Sequence, residues 1–402
     1  MIRFFFTLVT FFVGSTVWSV EPMAISDAAR RIHDSAPVID GHNDLPWAIR
    51  ETGKGLSAFR LDQPQPGFHT DIPRLRTGGV GAQFWSVYVP VSTQRNGQAL
   101  QTTLEQIDLV DAMVAAYPDV FEIALTVEDI RRIRSSGKIA SMIGVEGGHS
   151  IENSIAALRQ LYRRGARYMT LTHSATLDWA DSCSDEPKHD GLAPFGEEVV
   201  AEMNRLGMLV DISHVSPDCM RDVLRVTRAP IIFSHSSARG LADHPRNVPD
   251  DVLKLTAANG GVVMINFYNG FIHSPDVQRQ LDRMDARARF EKQFPDDQAK
   301  ADAALRKWEL SNPWSDDCTI TDVLDHIEHV IKLAGIDHVG LGSDYDGIPV
   351  VPQQLEDVSK YPAITQGLLD RGYEEADIRK ILGQNILRVF EQAEQVAKGL
   401  PK

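Results

Sequence analysis

Short runs of apolar, often β-branched residues alternate along this chain with longer stretches in which apolar residues recur at helical spacing. The short runs predict eight buried strands, at residues 37–40, 83–89, 139–145, 168–171, 209–212, 230–233, 261–266 and 338–342. The longer stretches predict helices, for example at 98–117, 127–136, 150–164 and 217–226, the last capped by Ser216. Eight strands that alternate with helices predict an α/β fold, a (β/α)8 TIM-like barrel, with a doubly wound open sheet as the alternative.

Two segments depart from this alternation. Residues 268–313 form a long connection between the seventh and eighth strands, in which charged residues alternate with apolar ones at helical spacing. This pattern predicts a helical insertion. It either forms a lid over the barrel or is a solvent-exposed addition with no functional role. Residues 57–68, with Pro64, Pro66 and Gly67, predict an irregular loop after the first strand.

The first 19 residues have the pattern of a secretory signal peptide. Arg3 supplies a positive start, and residues 4–18 form an almost uncharged, Phe- and Val-rich stretch. Removal of residues 1–19 would leave a single domain at 20–402, exported to the periplasm or secreted, with no stable membrane span. The alternative is a retained signal anchor, although the apolar run is short of the roughly 20 residues that span a bilayer.

Composition narrows the classes of partner. The 402 residues are 43% hydrophobic and 24% charged, which suits a large packed core and excludes global disorder. The formal net charge of −14 would repel phosphate backbones, so nucleic acid is not an expected partner.

The three cysteines, Cys183, Cys219 and Cys318, do not have the spacing of a cysteine zinc site. In an exported protein they allow one disulfide and one free thiol, with the pairing open. Cys219 lies within a predicted helix and is expected to be a buried apolar thiol.

The candidate chemistry lies where the predicted strands end. His, Asp or Glu follows six of the eight strands, and the active sites of (β/α)8 barrels lie at the carboxyl ends of the strands. These residues are His42 and Asp44, Glu146, His173, His214, His235 and Asp344. Each alone has an ordinary explanation, such as a hydrogen-bonded packing residue or a turn cap.

Five of these residues together predict a metal site with two ions. Three imidazoles and two carboxylates on one rim would need extensive pairing, and divalent cations provide it. Five ligands exceed one open tetrahedral site and suit two ions about 3.5 Å apart that share a carboxylate. His42 and Asp44 would hold one ion, His214 and His235 the other, and Glu146 would bridge them. Nitrogen and oxygen ligands favour Zn²⁺, with Mn²⁺, Co²⁺ and Fe²⁺ open.

With these motifs in hand, the chain resembles the membrane dipeptidase (renal dipeptidase) family, in the form of a bacterial-type exported member. The resemblance runs from about residue 28 to about residue 390. It rests on residues 40–46, 144–147, 171–173, 211–214, 233–239, 246–250, 342–347 and 383–389.

The resemblance implies a binuclear zinc dipeptidase that cleaves L-L and L-D dipeptides with a metal-bridging hydroxide. It implies the same five metal ligands. It also implies that His173 stabilises the tetrahedral oxygen, that Arg246 binds the free carboxylate of the dipeptide, and that Asp344 is the acid/base group. A homodimer is a further expectation. Without the family, Arg246 would be taken for an ordinary arginine of a surface loop.

Two other functions remain as alternatives. Other amidohydrolase-type enzymes usually have His-x-His on the first strand and often bridge their ions with a modified lysine. This chain has His42 and Asp44 on the first strand and Glu146 as the candidate bridge. The second alternative is an exported binding protein that retains metal but has lost catalysis. The complete ligand set, with both His173 and Asp344 present, argues against such a loss.

Overall fold

The computed structural model describes residues 23–36, 38–295 and 297–400, so the predicted signal peptide lies outside the described residues. Its strands are β1 Val38–Asn43, β2 Val80–Tyr88, β3 Phe121–Ile123, β4 Ile139–Glu146, β5 Ala166–Thr170, β6 Leu209–Asp211, β7 Ile232–Phe233, β8 Val262–Ile265 and β9 Val339–Leu341. Eight of them close a parallel barrel in the order β1, β2, β4, β5, β6, β7, β8, β9 and back to β1. The predicted (β/α)8 barrel is confirmed.

Strand β3 was not predicted from the sequence. It has three residues and pairs only with the first three residues of β4, so the barrel closes without it. The barrel strands themselves are almost continuously buried, as expected for parallel strands that are covered by helices on one face and by the barrel interior on the other.

The helices lie between and around the strands. They are α1 Asp27–Ser35, α2 Leu45–Glu51, α3 Ile72–Thr77, α4 Ser92–Arg95, α5 Ala99–Ala116, α6 Val127–Ser135, α7 Ile155–Arg163, α8 Pro194–Leu206, α9 Pro217–Val226, α10 Asp250–Asn259, α11 Asn269–Ile272, α12 Ser274–Gln293, α13 Gln298–Ser311, α14 Ile320–Ala334, α15 Tyr361–Asp370, α16 Glu375–Arg379 and α17 Asn385–Gly399. Ser216 caps α9 as predicted, because its side chain accepts a hydrogen bond from the Cys219 backbone N–H.

The helix predicted at 150–164 is shorter than expected. A 3₁₀ turn ends at Ile151, and Glu152 and Asn153 then adopt positive φ angles of 47° and 57°. This left-handed backbone interrupts the helix, and α7 begins afresh with Ser154 as its cap.

The insertion is helical, as its pattern predicted. It contains α11, α12 and α13, and a salt bridge of 2.6 Å between Arg283 and Glu309 joins α12 to α13. Whether the insertion works as a lid stays a prediction. None of the described helices is both long and apolar enough to span a bilayer.

All three cysteines carry free thiols, so the disulfide that the sequence allowed is not formed. Cys219 and Cys318 are buried, and Cys219 packs in α9 as expected for an apolar thiol.

Candidate active site

The barrel brings the predicted metal ligands together at the carboxyl ends of its strands. His42 lies near the end of β1 and Glu146 is the last residue of β4, whereas His214 and His235 follow β6 and β7 directly. Asp44 follows β1 at the start of α2. These side chains are almost completely withdrawn from solvent, with His214 the most exposed at 12%.

Glu146 lies at the centre of the cluster. Its Oε1 atom is 3.1 Å from His214 Nε2 and 3.4 Å from His235 Nε2. Its Oε2 atom is 3.6 Å from His42 Nε2 and accepts a hydrogen bond of 3.2 Å from the Ser86 hydroxyl. The two carboxylate oxygens therefore face different imidazoles, which is the arrangement expected of a bridging ligand.

The geometry around His235 determines which ring nitrogen can bind a metal. The Ser234 hydroxyl donates to Asp211 Oδ2 at 2.6 Å, so it accepts from His235 Nδ1, 2.7 Å away. The proton is therefore on Nδ1, and Nε2 carries a free lone pair toward Glu146 and toward His214 Nε2, 2.9 Å away. Such a fixed tautomer is typical of metal-binding histidines.

His42 is held in a similar way on the other side of Glu146. Its Nδ1 atom is 2.8 Å from the Tyr168 hydroxyl. Its buried Nε2 atom forms no geometrically acceptable hydrogen bond, and the carboxylate nearest to it is Asp44, with Oδ2 3.2 Å away. A buried imidazole nitrogen without a partner is costly unless a ligand satisfies it.

The charges in the cluster are strongly coupled. Burial would raise the pKa of Glu146, but the nearby His42 and His173 imidazoles hold it well below its ordinary value. Burial and the nearby Arg246 guanidinium lower the pKa of His214 well below its ordinary value. Glu146 is therefore favoured as a carboxylate and His214 as a neutral imidazole, the forms that bind metal ions. At His42 burial is outweighed by Tyr168, Asp44 and Glu146, which raise the pKa of His42 well above its ordinary value.

The ligand atoms fit divalent cations by chemistry and by proximity. Three overlapping groups have ligand atoms within 4.8 Å of one another, namely His42 with Glu146 and His235, Glu146 with His173 and His214, and His42 with Asp44 and Asp344. Imidazole nitrogen and carboxylate oxygen are the usual ligands of zinc and similar ions in hydrolases. The predicted ligands thus form one continuous cluster.

Asp344 and His173 flank this cluster. Asp344 has a positive φ of 67° and accepts a hydrogen bond of 2.7 Å from Asn266 Nδ2. Burial raises the pKa of Asp344 well above its ordinary value. His173 is the more accessible of the two, with 22% of its side chain exposed, and its ring packs against those of Tyr88 and His214.

Arg246 is buried, contrary to the surface-loop alternative. Only 3% of the residue is exposed. Nη1 donates to Ser236 Oγ and Nη2 to the His235 carbonyl, both at 2.9 Å, while the buried Nε has no partner. A guanidinium has five N–H donors, so this one retains donors for a ligand.

Comparison with known proteins decides the family. The model of the membrane dipeptidase family, peptidase family M19, matches residues 26–402. The chain belongs to this family. It is a hydrolase that acts on dipeptides, and the resemblance read from its motifs is confirmed.

Solved structures agree with this assignment. The probable dipeptidase PvdM from Pseudomonas aeruginosa is 26% identical, with a TM-score of 0.80 over 92% of this chain and 98% of its own. Dipeptidase AC, a metallopeptidase of family M19, is 25% identical, with a TM-score of 0.73 over 89% and 98%. A metallopeptidase from Rhodobacter sphaeroides, liganded with a phosphinate mimic of L-Ala-D-Ala, is 25% identical, with a TM-score of 0.72 over 89% and 99%.

The sequence did not reveal the residues that hold the enzyme's predicted ligands in place. These are Tyr168 beside His42, Ser86 beside Glu146, Asn266 beside Asp344, and Asp211 with Ser234 beside His235. Asp211 and Ser234 lie within the histidine motifs at 211–214 and 233–239, and this position was the one available signal. The Tyr168 ring fits only because residue 144 is a glycine, since a Cβ atom there would lie 1.9 Å from Tyr168 Cζ.

Proposed function

We propose that this dipeptidase binds two zinc ions, with Glu146 as the bridging ligand. His42 and Asp44 would hold one ion, and His214 with His235 the other. The observation that carries the proposal is the position of Glu146, whose Oε2 faces His42 while Oε1 faces His214 and His235. The free lone pair on His235 Nε2 and the partnerless His42 Nε2 support it.

When bound, such ions would supply an activated water near neutral pH and polarise the scissile carbonyl. Asp344 would take the proton from the nucleophile and pass it to the leaving nitrogen, a role suited to its raised pKa and its anchoring by Asn266. His173 would donate to the carbonyl oxygen as negative charge develops there, since its side chain remains partly accessible at the rim.

Arg246 would bind the free carboxylate of the dipeptide. Its bonds to Ser236 and to the His235 carbonyl fix the plane of the guanidinium, and a planar fork matches a carboxylate bidentately. Recognition through the carboxylate would not require one particular stereochemistry at the C-terminal residue. We therefore propose that both L-L and L-D dipeptides are substrates, in keeping with the L-Ala-D-Ala mimic bound by the Rhodobacter sphaeroides relative.

Replacing Arg246 with alanine is expected to lower kcat/KM for free dipeptides by roughly 30-fold or more, because a charge-assisted pair in a buried site is lost. Steady-state kinetics on free and C-terminally amidated dipeptides would measure the effect. The amidated substrates should be poor for the wild type and change little in the variant. Equal kinetics of wild type and variant on free dipeptides would contradict the role given to Arg246.

The decisive experiment for the function combines metal analysis with a dipeptide library in both stereochemical series. Two zinc ions are expected in the active site, with hydrolysis that stops on chelation and returns with zinc. Hydrolysis that continues after the ions are removed would contradict the proposal. Turnover of nucleosides or hydantoins in place of dipeptides would do the same.

Export and assembly complete the proposal. A signal peptide at residues 1–19 would deliver the mature enzyme to the periplasm or the medium, and N-terminal sequencing of the expressed protein would locate the cleavage. A homodimer remains a prediction, and light scattering on the purified enzyme would decide it.

A further inference from the structure

A second cluster of metal-binding side chains lies at the base of the insertion and shares no residue with the first. His273 connects α11 to α12, Asp276 lies in the first turn of α12, and Cys318 precedes α14 beyond the end of the insertion. All three are buried, with 8%, 2% and 1% of each residue exposed. One ligand atom from each lies within 4.8 Å of the other two.

The imidazole of this cluster lies between two carboxylates. His273 Nδ1 is 2.9 Å from Asp276 Oδ2, and His273 Nε2 is 3.4 Å from Asp317 Oδ1. The other Asp276 oxygen accepts a hydrogen bond of 2.9 Å from the Ser315 backbone N–H. A neutral imidazole has only one N–H, so it cannot donate to both carboxylates. With the proton on Nε2, toward the largely exposed Asp317, the unprotonated Nδ1 faces the Asp276 carboxylate as a second acceptor, and a cation between them would satisfy both.

The surroundings of Cys318 are acidic. Burial raises the pKa of the Cys318 thiol, and the charges of Asp322, Asp276 and Asp317 raise it further. Arg279 is also close enough to Asp276 to interact electrostatically, but its guanidinium is stacked 3.5 Å from the centre of the Trp314 ring and donates to the Asn312 carbonyl. The buried Asp276 carboxylate and Cys318 thiol thus lie beside one imidazole, with further carboxylates at the more exposed edge, and a divalent cation would offset this charge.

We propose that His273, Asp276 and Cys318 form a separate metal site, which binds zinc or a similar transition-metal ion. Imidazole, carboxylate and thiolate are all zinc ligands, and the thiolate selects transition metals over magnesium or calcium. Asp317 would accept the proton on His273 Nε2 and so leave Nδ1 as the ligand atom. The fourth tetrahedral position would fall to solvent.

Such an ion would tie together the two ends of the insertion. His273 and Asp276 come from its start, and Cys318 comes from the chain just after it. Because the ligands are so far apart in sequence, no short sequence motif predicts the site. Its role would be structural, separate from the dipeptidase chemistry at the rim.

Cobalt(II) substitution tests this site independently of activity. Cobalt bound to a thiolate gives a charge-transfer absorption in the near ultraviolet, and the proposed active-site ligands include no cysteine. Wild-type protein loaded with cobalt is expected to show this band. Cys318→Ser and His273→Gln should lose it, with one fewer metal ion per chain. Cys219→Ser should keep it, and so should Glu146→Gln, which alters only the active site.

Two results would overturn the proposal. One is a cobalt-loaded wild type without the thiolate band, and the other is a band that disappears in Cys183→Ser but persists in Cys318→Ser. His273→Gln retains all three thiols, so it decides the assignment even if Cys318→Ser fails to fold. A band that persists in His273→Gln would exclude that imidazole as a ligand.

Discussion

Replacing Glu146 with glutamine is expected to abolish dipeptide hydrolysis and to lower the bound metal sharply. An amide has one acceptor oxygen and no charge, so it cannot serve both His42 on one side and His214 with His235 on the other. Loss of a partner outside the ligand shell typically costs about 10- to 100-fold in metal affinity or activity, and loss of a bridging ligand should cost more. Elemental analysis and turnover of a good dipeptide would measure both effects.

The chain offers a matched control in Glu202. This carboxylate is also buried, but it pairs with Arg159 at 2.7 Å and with Arg205 at 2.5 Å, away from the rim. The neighbouring Arg205 lowers the pKa of Glu202 to about 2. Glu202→Gln should therefore reduce stability without changing metal content. If Glu146→Gln bound metal as wild type does and still turned over dipeptides, the bridging role would be wrong.

The barrel was predictable because each of its strands contains or adjoins a short apolar run. Strand β3 was not predicted because it has only three residues and two of them are only partly buried. All three pair with the first three residues of β4. The start of α7 was misplaced because the left-handed turn at Glu152 and Asn153 leaves no apolar signal. Hydrophobic periodicity reports burial, so it is weakest where backbone conformation alone ends an element.

That the candidate ligands would lie close together was predictable for a different reason. In a parallel barrel all strand ends face one rim, so residues such as His42 and Glu146 meet whatever their separation in sequence. The residues that hold these side chains in place could not be predicted, because they depend on which side chains meet across the barrel. Tyr168 stands 126 residues from His42 and belongs to an ordinary strand pattern. Arg246 is a similar case, since its burial depends on a loop whose path the sequence does not show.

Asp344→Asn is expected to retain bound metal and to lower kcat by roughly 10²-fold or more, because an amide cannot accept and return a proton. The side chain should stay in place, since the amide oxygen can still accept from Asn266. Asp346→Asn makes the same chemical change two residues away, at another buried aspartate with a positive φ, and its turnover should stay close to wild type.

Metal content decides between two roles for Asp344. Its ligand atom lies within 4.8 Å of those of His42 and Asp44, so the geometry also allows direct coordination. Loss of one ion in Asp344→Asn would make Asp344 a ligand and would leave the acid/base role to another group. Full metal content with slow turnover would establish Asp344 as the group that moves the proton.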